Sequence, residues 1–337
     1  MNATMSPEEI KHHPVMLNQI LSIISPQHGG TFIDCTFGGG GYSNAILDFP
    51  NTKVLGIDRD KSAQKRANVL VKKYPDRFNF ILSKFSKLKS IIKPDLNPKA
   101  IIFDLGLSSF QLSDHKRGFS FKSKESLSME MGLNTFSAYD VVNTLDKESL
   151  TNIIKILGDE KDGKKIANNI IKYREKKLIQ TGEELSLIIN NVKKKYKKNK
   201  INPATKTFQG IRIFVNEELT ELILGLISAT ELLKNGGVLI ILSFHSLEDR
   251  IVKFFFSLYS NLKKNPSRYL PMNEKNTILF KLKSKKSASP DEKEILNNPR
   301  SRSAKLRYAV RNENPFLFPN EFRKKFDNYF KLKEAIL

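Results

Sequence analysis

The stretch Asp34-Cys35-Thr36-Phe37-Gly38-Gly39-Gly40-Gly41-Tyr42-Ser43 decides how the chain is read. A short apolar run from Thr31 precedes the four glycines and a helix opens after them, so they stand at a strand-to-helix turn. Without a Cβ, glycine lets a ligand approach the backbone closely. Working outward, residues 53–58 read as a second strand that ends on Asp58, twenty residues past Gly38. A carboxylate there can accept hydrogen bonds from two ribose hydroxyls. Loop, strand context and terminal acid together point to an adenosine-containing cofactor. Asp34 argues which one. A negative charge at the strand end suits a sulfonium or amine cation better than a pyrophosphate, which favours S-adenosylmethionine over NAD.

Further strands are predicted at 78–83 and 100–105, with a helix over 62–74 between the second and third. Strands alternating with helices mean βαβ units and a parallel sheet. The fourth strand ends in Asp104-Leu105-Gly106-Leu107-Ser108-Ser109. Ligands of open α/β sheets lie outside the carboxyl ends of the strands, so Asp104 and the serine pair should border the cofactor. From about 137 to 200 the signals are helical only. Leu150, Ile153, Ile154 and Leu157 share one helical face, and Thr181 with Glu184 forms a capping box. The run 193–198 holds five lysines and can touch phosphates.

The α/β pattern then returns. Leu219, Leu222, Ile223 and Leu226 form one helical face, Lys234-Asn235-Gly236 stops that helix, and 237–244 reads as a buried strand. Strands at 277–282 and Lys305–Arg311 follow. One doubly wound sheet interrupted by a helical insert accounts for this order. Two sequential domains would need a second sheet, and too few strands remain to build it. The fifth strand leads into Ser243-Phe244-His245-Ser246-Leu247-Glu248-Asp249-Arg250, which puts His245 at the mouth of the site.

The charge balance names a partner class. Lys and Arg number 57 against 35 Asp and Glu, a formal net charge of +22, which favours a polyanion over an ordinary small metabolite. The apolar fraction of 39% in 337 residues suits about two domains with a real core. The single Cys35 excludes internal disulfides and a cysteine-rich zinc site. The first residues lack the apolar core of a secretory signal, and the strongest apolar run, 238–242, is far too short to span a bilayer. The chain reads as cytoplasmic, with no membrane partner. Near the end, Arg300, Arg302, Lys305, Arg307 and Arg311 read as a phosphate-binding strip. Alternation over the last strand predicts Leu306, Tyr308 and Val310 packed into the sheet and the arginines facing outward.

Several separated motifs, in order, carry a resemblance. They are His13-Pro14-Val15-Met16-Leu17, 34–43, Gly56-Ile57-Asp58-Arg59-Asp60, 104–112, Arg117-Gly118-Phe119-Ser120-Phe121, Asn202-Pro203-Ala204-Thr205-Lys206-Thr207-Phe208-Gln209, 243–250 and 297–307. With these the chain resembles the bacterial 16S rRNA cytosine-N4 methyltransferase family (RsmH, also called MraW) over nearly its whole length. The resemblance implies an α/β, class I (Rossmann-like) S-adenosylmethionine-dependent methyltransferase sheet with an inserted all-helical domain. The methyltransferase domain would be discontinuous, 1–112 and 207–337, with a helical substrate-recognition domain at 113–206. Its implied activity is methyl transfer to the exocyclic N4 of a decoding-centre cytidine, on 16S rRNA or the small ribosomal subunit. Implied cofactor contacts are Gly40, Gly41, Tyr42, Asp58, Phe85, Asp104 and Gln111. Expected RNA contacts are Arg117, Lys206, Arg212, Arg250, Arg300 and Arg302, and His245 is the catalytic candidate. The oligomeric state stays open, a homodimer among the options.

The chain also departs from the family. Tyr42 stands where His is usual, Ser126-Leu127-Ser128-Met129-Glu130-Met131 replaces a Pro-Leu-Asp-Met-Arg-Met run, and Lys206 replaces Arg, losing the bidentate fork. The reaction is displacement at a sulfonium methyl by an amine whose lone pair is delocalised into the cytosine ring. In-line positioning must supply much of the rate, with a polar group nearby to take the proton; Asp104, Ser108 and His245 are the candidates. This chemistry needs no metal, and no metal-ligand spacing is visible. Two rival readings remain: an RNA-binding or ribosome-assembly protein that kept the fold without catalysis, and an NAD-dependent oxidoreductase.

Overall fold

Short β-branched and aromatic runs bounded by glycine or an acid build the sheet. In the computed structural model, which describes residues 14–93, 95–193, 202–260, 278–317 and 319–335, the first of these is β1 (Gly30–Asp34). It is followed by β2 (Thr52–Asp58), β3 (Phe78–Leu82), β4 (Ala100–Asp104), β5 (Val238–Ser243), β6 (Phe280–Lys281) and β7 (Lys305–Arg311). The sheet order is β3-β2-β1-β4-β5-β7-β6. Strands β1 to β5 pair in parallel, whereas β7 runs antiparallel to both β5 and β6. The order reverses between β1 and β4, so the switch point of the sheet lies at the carboxyl ends of those two strands. Strand β5 joins this same sheet beside β4, as the single-sheet reading expected.

The chain folds as two units, Met1–Gly106 with Glu221–Lys325, and Leu107–Thr220 with Phe326–Leu337. The second is wider than the expected 113–206. It begins straight after β4, takes in the helix Thr205–Asn216, and draws in the helix Asp327–Glu334, where Tyr329 and Leu332 are buried.

In the first unit the sheet supplies the core. Ile33, Phe32, Ile101, Phe103, Leu239 and Ile241 have no exposed surface. A strand buried on both faces needs apolar residues throughout, which is why β4 and β5 read as continuous apolar runs. The helix Ala63–Lys73 follows β2 and sits within the expected 62–74. Gly236, at φ +83°, takes the left-handed turn expected at the stop before β5.

Among its described residues the second unit is helical apart from an isolated bridge, Ser126 to Thr181. Leu150, Ile153, Ile154 and Leu157 are all buried, as one shared face requires; the helix Lys147–Asn152 continues into a π turn over Ile153–Leu157. The Thr181–Glu184 capping box is present, with Glu184 N–H on the Thr181 hydroxyl at 3.1 Å. Asn216, fully buried, ties the 129–131 segment to the helix Thr205–Asn216. Its Nδ2 donates to the Met129 carbonyl at 2.8 Å, and its Oδ1 accepts from Met131 N–H at 2.8 Å. The lysines at 194–198 lie outside the described residues.

Strand β7 corrects one expectation. Leu306 is buried as predicted, but Tyr308 and Val310 are only half-buried, Ala309 of the opposite set is buried, and the arginines do not face outward. Arg311 is only 6% exposed; it donates to the Asn312 carbonyl at 2.9 Å and lies over the Phe280 ring at 5.9 Å. The reason is the place of β7 between β5 and β6. An interior strand has both faces covered, so its long cations must reach backbone carbonyls and acids inside the fold. Strand β6 spans only two residues; the rest of the expected 277–282 strand is coil where it is described.

Candidate active site

The glycine loop is fastened from three directions, all within the first unit. Gly38 N–H donates to Asp58 Oδ2 at 2.7 Å, so the acid that ends β2 also closes the turn after β1. Its other oxygen accepts Asp60 N–H at 2.8 Å. Arg66 Nε donates to the Gly38 carbonyl at 2.8 Å. Asp104 N–H donates to the Thr36 hydroxyl at 2.7 Å and joins the loop to β4. Gly40, at φ +77°, caps the helix Gly41–Leu47 in the left-handed region; a Cβ there would meet the Phe37 ring at 2.7 Å. At Gly41 a Cβ would lie 2.3 Å from Pro14.

Three acids converge on these strand ends, and burial dominates all of them. Asp34 is fully buried, with Ser43 Oγ donating to its Oδ2 at 2.7 Å. Burial lifts its carboxyl to about 6. Asp34 therefore does not face an open site, as the charge argument for the cofactor assumed; it holds the loop to the following helix. Asp58 is half-buried, and burial raises its carboxyl too, against the two N–H donors it accepts. Asp104 is pushed to about 8, by burial first and by the nearby Asp34 charge second. Its Oδ1 is buried and has no hydrogen-bond partner among the described residues. An orphaned acceptor at a switch point is an invitation to a donor or a cation.

The remaining sequence candidates divide by what already holds them. Tyr42 is buried in the core, and its hydroxyl donates to the Val15 carbonyl at 2.6 Å. Phe85 starts a tight turn after β3 and sits edge-on to Phe103 at 5.2 Å, leaving part of its ring uncovered. His245 caps the helix Ser246–Leu258; its Nδ1 accepts Glu248 N–H at 3.4 Å. In a neutral ring the proton then sits on Nε2, which lies 3.1 Å from Glu248 Oε1 without hydrogen-bond alignment. Arg250, Arg300 and Arg302 are exposed.

In the second unit, Gln111 is buried, and its side chain accepts from Ser108 N–H at 3.0 Å in a capping box. Arg117 pairs with Asp114 at 3.6 Å, and Arg212 grips Glu218 through two 2.8 Å bonds. Lys206 Nζ donates to the Asp159 carbonyl at 2.8 Å and stays half exposed. Sequence reasoning missed Thr36, Ser43 and Asp249 as positioning residues. The first two lie inside the quoted loop, where a hydroxyl flanking a buried acid was a readable signal. Asp249 binds Lys305 Nζ at 3.0 Å and Arg307 Nε at 2.8 Å, across a gap in sequence that no local pattern reveals.

A sheet with one reversed strand beside β5, a glycine loop closed by the β2 acid, and an acid at the switch point with one buried oxygen unpaired among the described residues define a class I methyltransferase fold. Residues 9–312 match the MraW methylase family, and the chain belongs to that family. It is similar to a protein of Ehrlichia canis (strain Jake) named ribosomal RNA small subunit methyltransferase H, 46% identical over 307 residues covering 89% of this chain and 99% of the relative. A protein of the same name from Rickettsia canadensis (strain McKiel) is 42% identical, covering 88% and 97%. A third, from Hyphomonas neptunium, is 40% identical, covering 91% and 90%. Among solved structures, an rRNA methylase from Streptococcus thermophilus is 10% identical with a TM-score of 0.35, covering 87% of this chain and 96% of that one.

The chain is thus an S-adenosylmethionine-dependent methyltransferase. The residues at the strand ends fit that cofactor, because the buried free oxygen of Asp104 and the half-open carboxylate of Asp58 offer acceptors to its amine and hydroxyl groups. Among the described residues no helix is long and apolar enough to cross a membrane.

Proposed function

We infer that this protein methylates the exocyclic N4 of a cytidine in the decoding centre of 16S rRNA, acting in the cytoplasm on the rRNA or the small subunit. The observation that carries this reading is the family match across 9–312, with relatives named for the small-subunit rRNA. S-adenosylmethionine, when bound, supplies an electrophilic methyl group on a sulfonium. The chain's own residues do the rest. Asp58 holds the ribose hydroxyls while keeping Gly38 in place, and Gly40 and Gly41 admit the ligand close to the backbone. Tyr42 shapes the site from a buried position, and the uncovered part of Phe85 offers the adenine an aromatic surface.

Asp104 is the group best matched to proton transfer. Pushed to about 8, its carboxyl is protonated at neutral pH in the free protein, so it takes the N4 proton only in its ionised form, which a cation bound beside it favours. His245 acts as a donor from Nε2 and positions the base, since its Nδ1 is committed to Glu248. Ser108 contributes less, its hydroxyl accepting Gln111 N–H. The helical unit, with Arg117, Lys206 and Arg212, recognises RNA, and Arg250, Arg300 and Arg302 add phosphate contacts from the first unit. Of the helical cations, Lys206 is the readiest to exchange its protein partner for a phosphate, because it is half exposed.

The test is transfer of a radiolabelled methyl group to small subunits and to naked rRNA from a strain lacking the modification. Incorporation recovered as N4-methylcytidine is the expected result. Binding of both cofactor and RNA with no incorporation into either substrate would move the protein to the non-catalytic assembly reading.

A further inference from the structure

A cavity of about 420 Å³ lies in the first unit between the helix Ser246–Leu258, strand β7 and the loop 282–288. None of its lining residues belongs to the cofactor set. Its floor is aromatic: Phe256, 2% exposed and held edge-on by Phe280 at 5.6 Å, and the half-buried Tyr308. Its rim is basic: Lys253, Lys285, Lys286 and Arg307. Lys285 and Lys286 are exposed and carry no acidic partner among the described residues.

The cavity is built rather than incidental. The loop is pinned to β7 by two backbone hydrogen bonds between Ala288 and Leu306, each 2.9 Å. Arg307 fixes it again, donating from Nη1 to the Lys285 carbonyl at 3.1 Å while Asp249 holds its Nε. The Arg307 guanidinium is therefore a structural tie that holds the loop carrying Lys285 and Lys286, and Asp249 keeps it there.

An aromatic floor under a ring of cations is the combination that grips single-stranded nucleic acid: the bases have π faces to stack and the backbone has charge to neutralise. The volume falls within the roughly 300–1,000 Å³ of small-ligand sites, enough for one nucleotide and too little for a duplex. We propose that this cavity anchors one unpaired nucleotide of the RNA substrate, its base against the half-buried Tyr308 and its phosphate on Lys285, Lys286 and Lys253. The proposal rests on the RNA reading above and adds a grip on the substrate away from the reacting cytidine.

The experiment uses the full chain and a short single-stranded RNA carrying 4-thiouridine. Lys285→Ala with Lys286→Ala should weaken RNA binding about fivefold or more and lower the salt slope by about 1.4, two contacts at roughly 0.7 each. S-adenosylmethionine affinity should not change, and light should cross-link the parent's RNA to Tyr308. An unchanged salt slope, or cross-links only elsewhere, in a protein that still methylates small subunits would overturn the anchor and leave the function standing. Weakened binding to assembled subunits with naked-RNA binding intact would assign the cavity to a ribosomal protein, which also overturns it. A parent that neither binds RNA nor methylates subunits would overturn both readings.

Discussion

The strand ends that carry Asp34, Asp58 and Asp104 and the basic stretch 300–311 are both dense in charge, yet the fold treats them in opposite ways. At the strand ends, acids are buried without enough compensation. Asp104 keeps an oxygen with no hydrogen-bond partner among the described residues and a carboxyl lifted to about 8. In the basic stretch most cations are satisfied inside the protein. Lys305 and Arg307 share Asp249, and Arg311 is sunk against backbone carbonyls and the Phe280 ring; Arg300 and Arg302 remain exposed. Charge that the fold leaves uncompensated is available to a ligand, and charge it compensates is structural. Counting charged residues along the sequence does not separate the two cases.

Breaking the first region should have the largest effect. Asp58→Ala releases Gly38 N–H and, on the proposed function, removes the acceptor of two ribose hydroxyls. At about 1.5–3 kcal/mol per charge-assisted bond, S-adenosylmethionine should bind at least a hundredfold more weakly. Calorimetry that returned the parental affinity would remove the cofactor from this loop. Breaking the compensated region should instead cost stability. Asp249→Ala leaves the mostly buried Arg307 without its carboxylate and should lower unfolding free energy by about 1.5–3 kcal/mol, with cofactor affinity intact. Denaturant titration measures this, and a loss confined to cofactor binding would contradict the contrast.

A pH series sharpens the comparison. In the folded, cofactor-free protein Asp104 holds its proton up to about 8 and Asp34 up to about 6, whereas both release it near 3.8 when unfolded. The folded state therefore binds more protons across this window, and its stability should fall as pH rises from about 4 toward 8. Between pH 6 and 8 the decline belongs to Asp104, on the order of 1 kcal/mol per unit, and Asp104→Asn should flatten it. Melting curves with the same slope in parent and variant would show that Asp104 is already ionised. Asp249 is held below the usual carboxylate range by Arg307 and Lys305 despite its burial, so its contribution is present above about pH 4 and lost only in acid.

The smallest effect is expected where the cations are exposed. Arg300→Ala with Arg302→Ala should weaken RNA binding only a few-fold and lower its salt slope by under one unit per contact, without touching cofactor affinity or stability. A salt slope equal to the parent's would make these two arginines a solubilising surface.

Sequence alone determined the sheet-forming strands, the interrupting helical stretch, the glycine loop and the acids Asp58 and Asp104 at strand ends. These depend on period, on glycine's freedom and on which residue closes a strand, all of which are local. It also determined the family, because several motifs hold their order over nearly the whole chain. Only the tertiary structure decided which charges are spent. That Asp34 is a loop fastener depends on Ser43 folding back onto it. That His245 and Gln111 are engaged in capping boxes depends on helices starting beside them. That Arg307 and Arg311 turn inward depends on β7 being inserted between β5 and β6, after Asp249 and Thr230 have been brought alongside. The physical reason is that the folded backbone decides which polar groups meet, through helix starts three residues away for His245 and Gln111 and through neighbours distant in sequence for Arg307 and Arg311, and so whether a charged group holds the fold together or awaits a ligand.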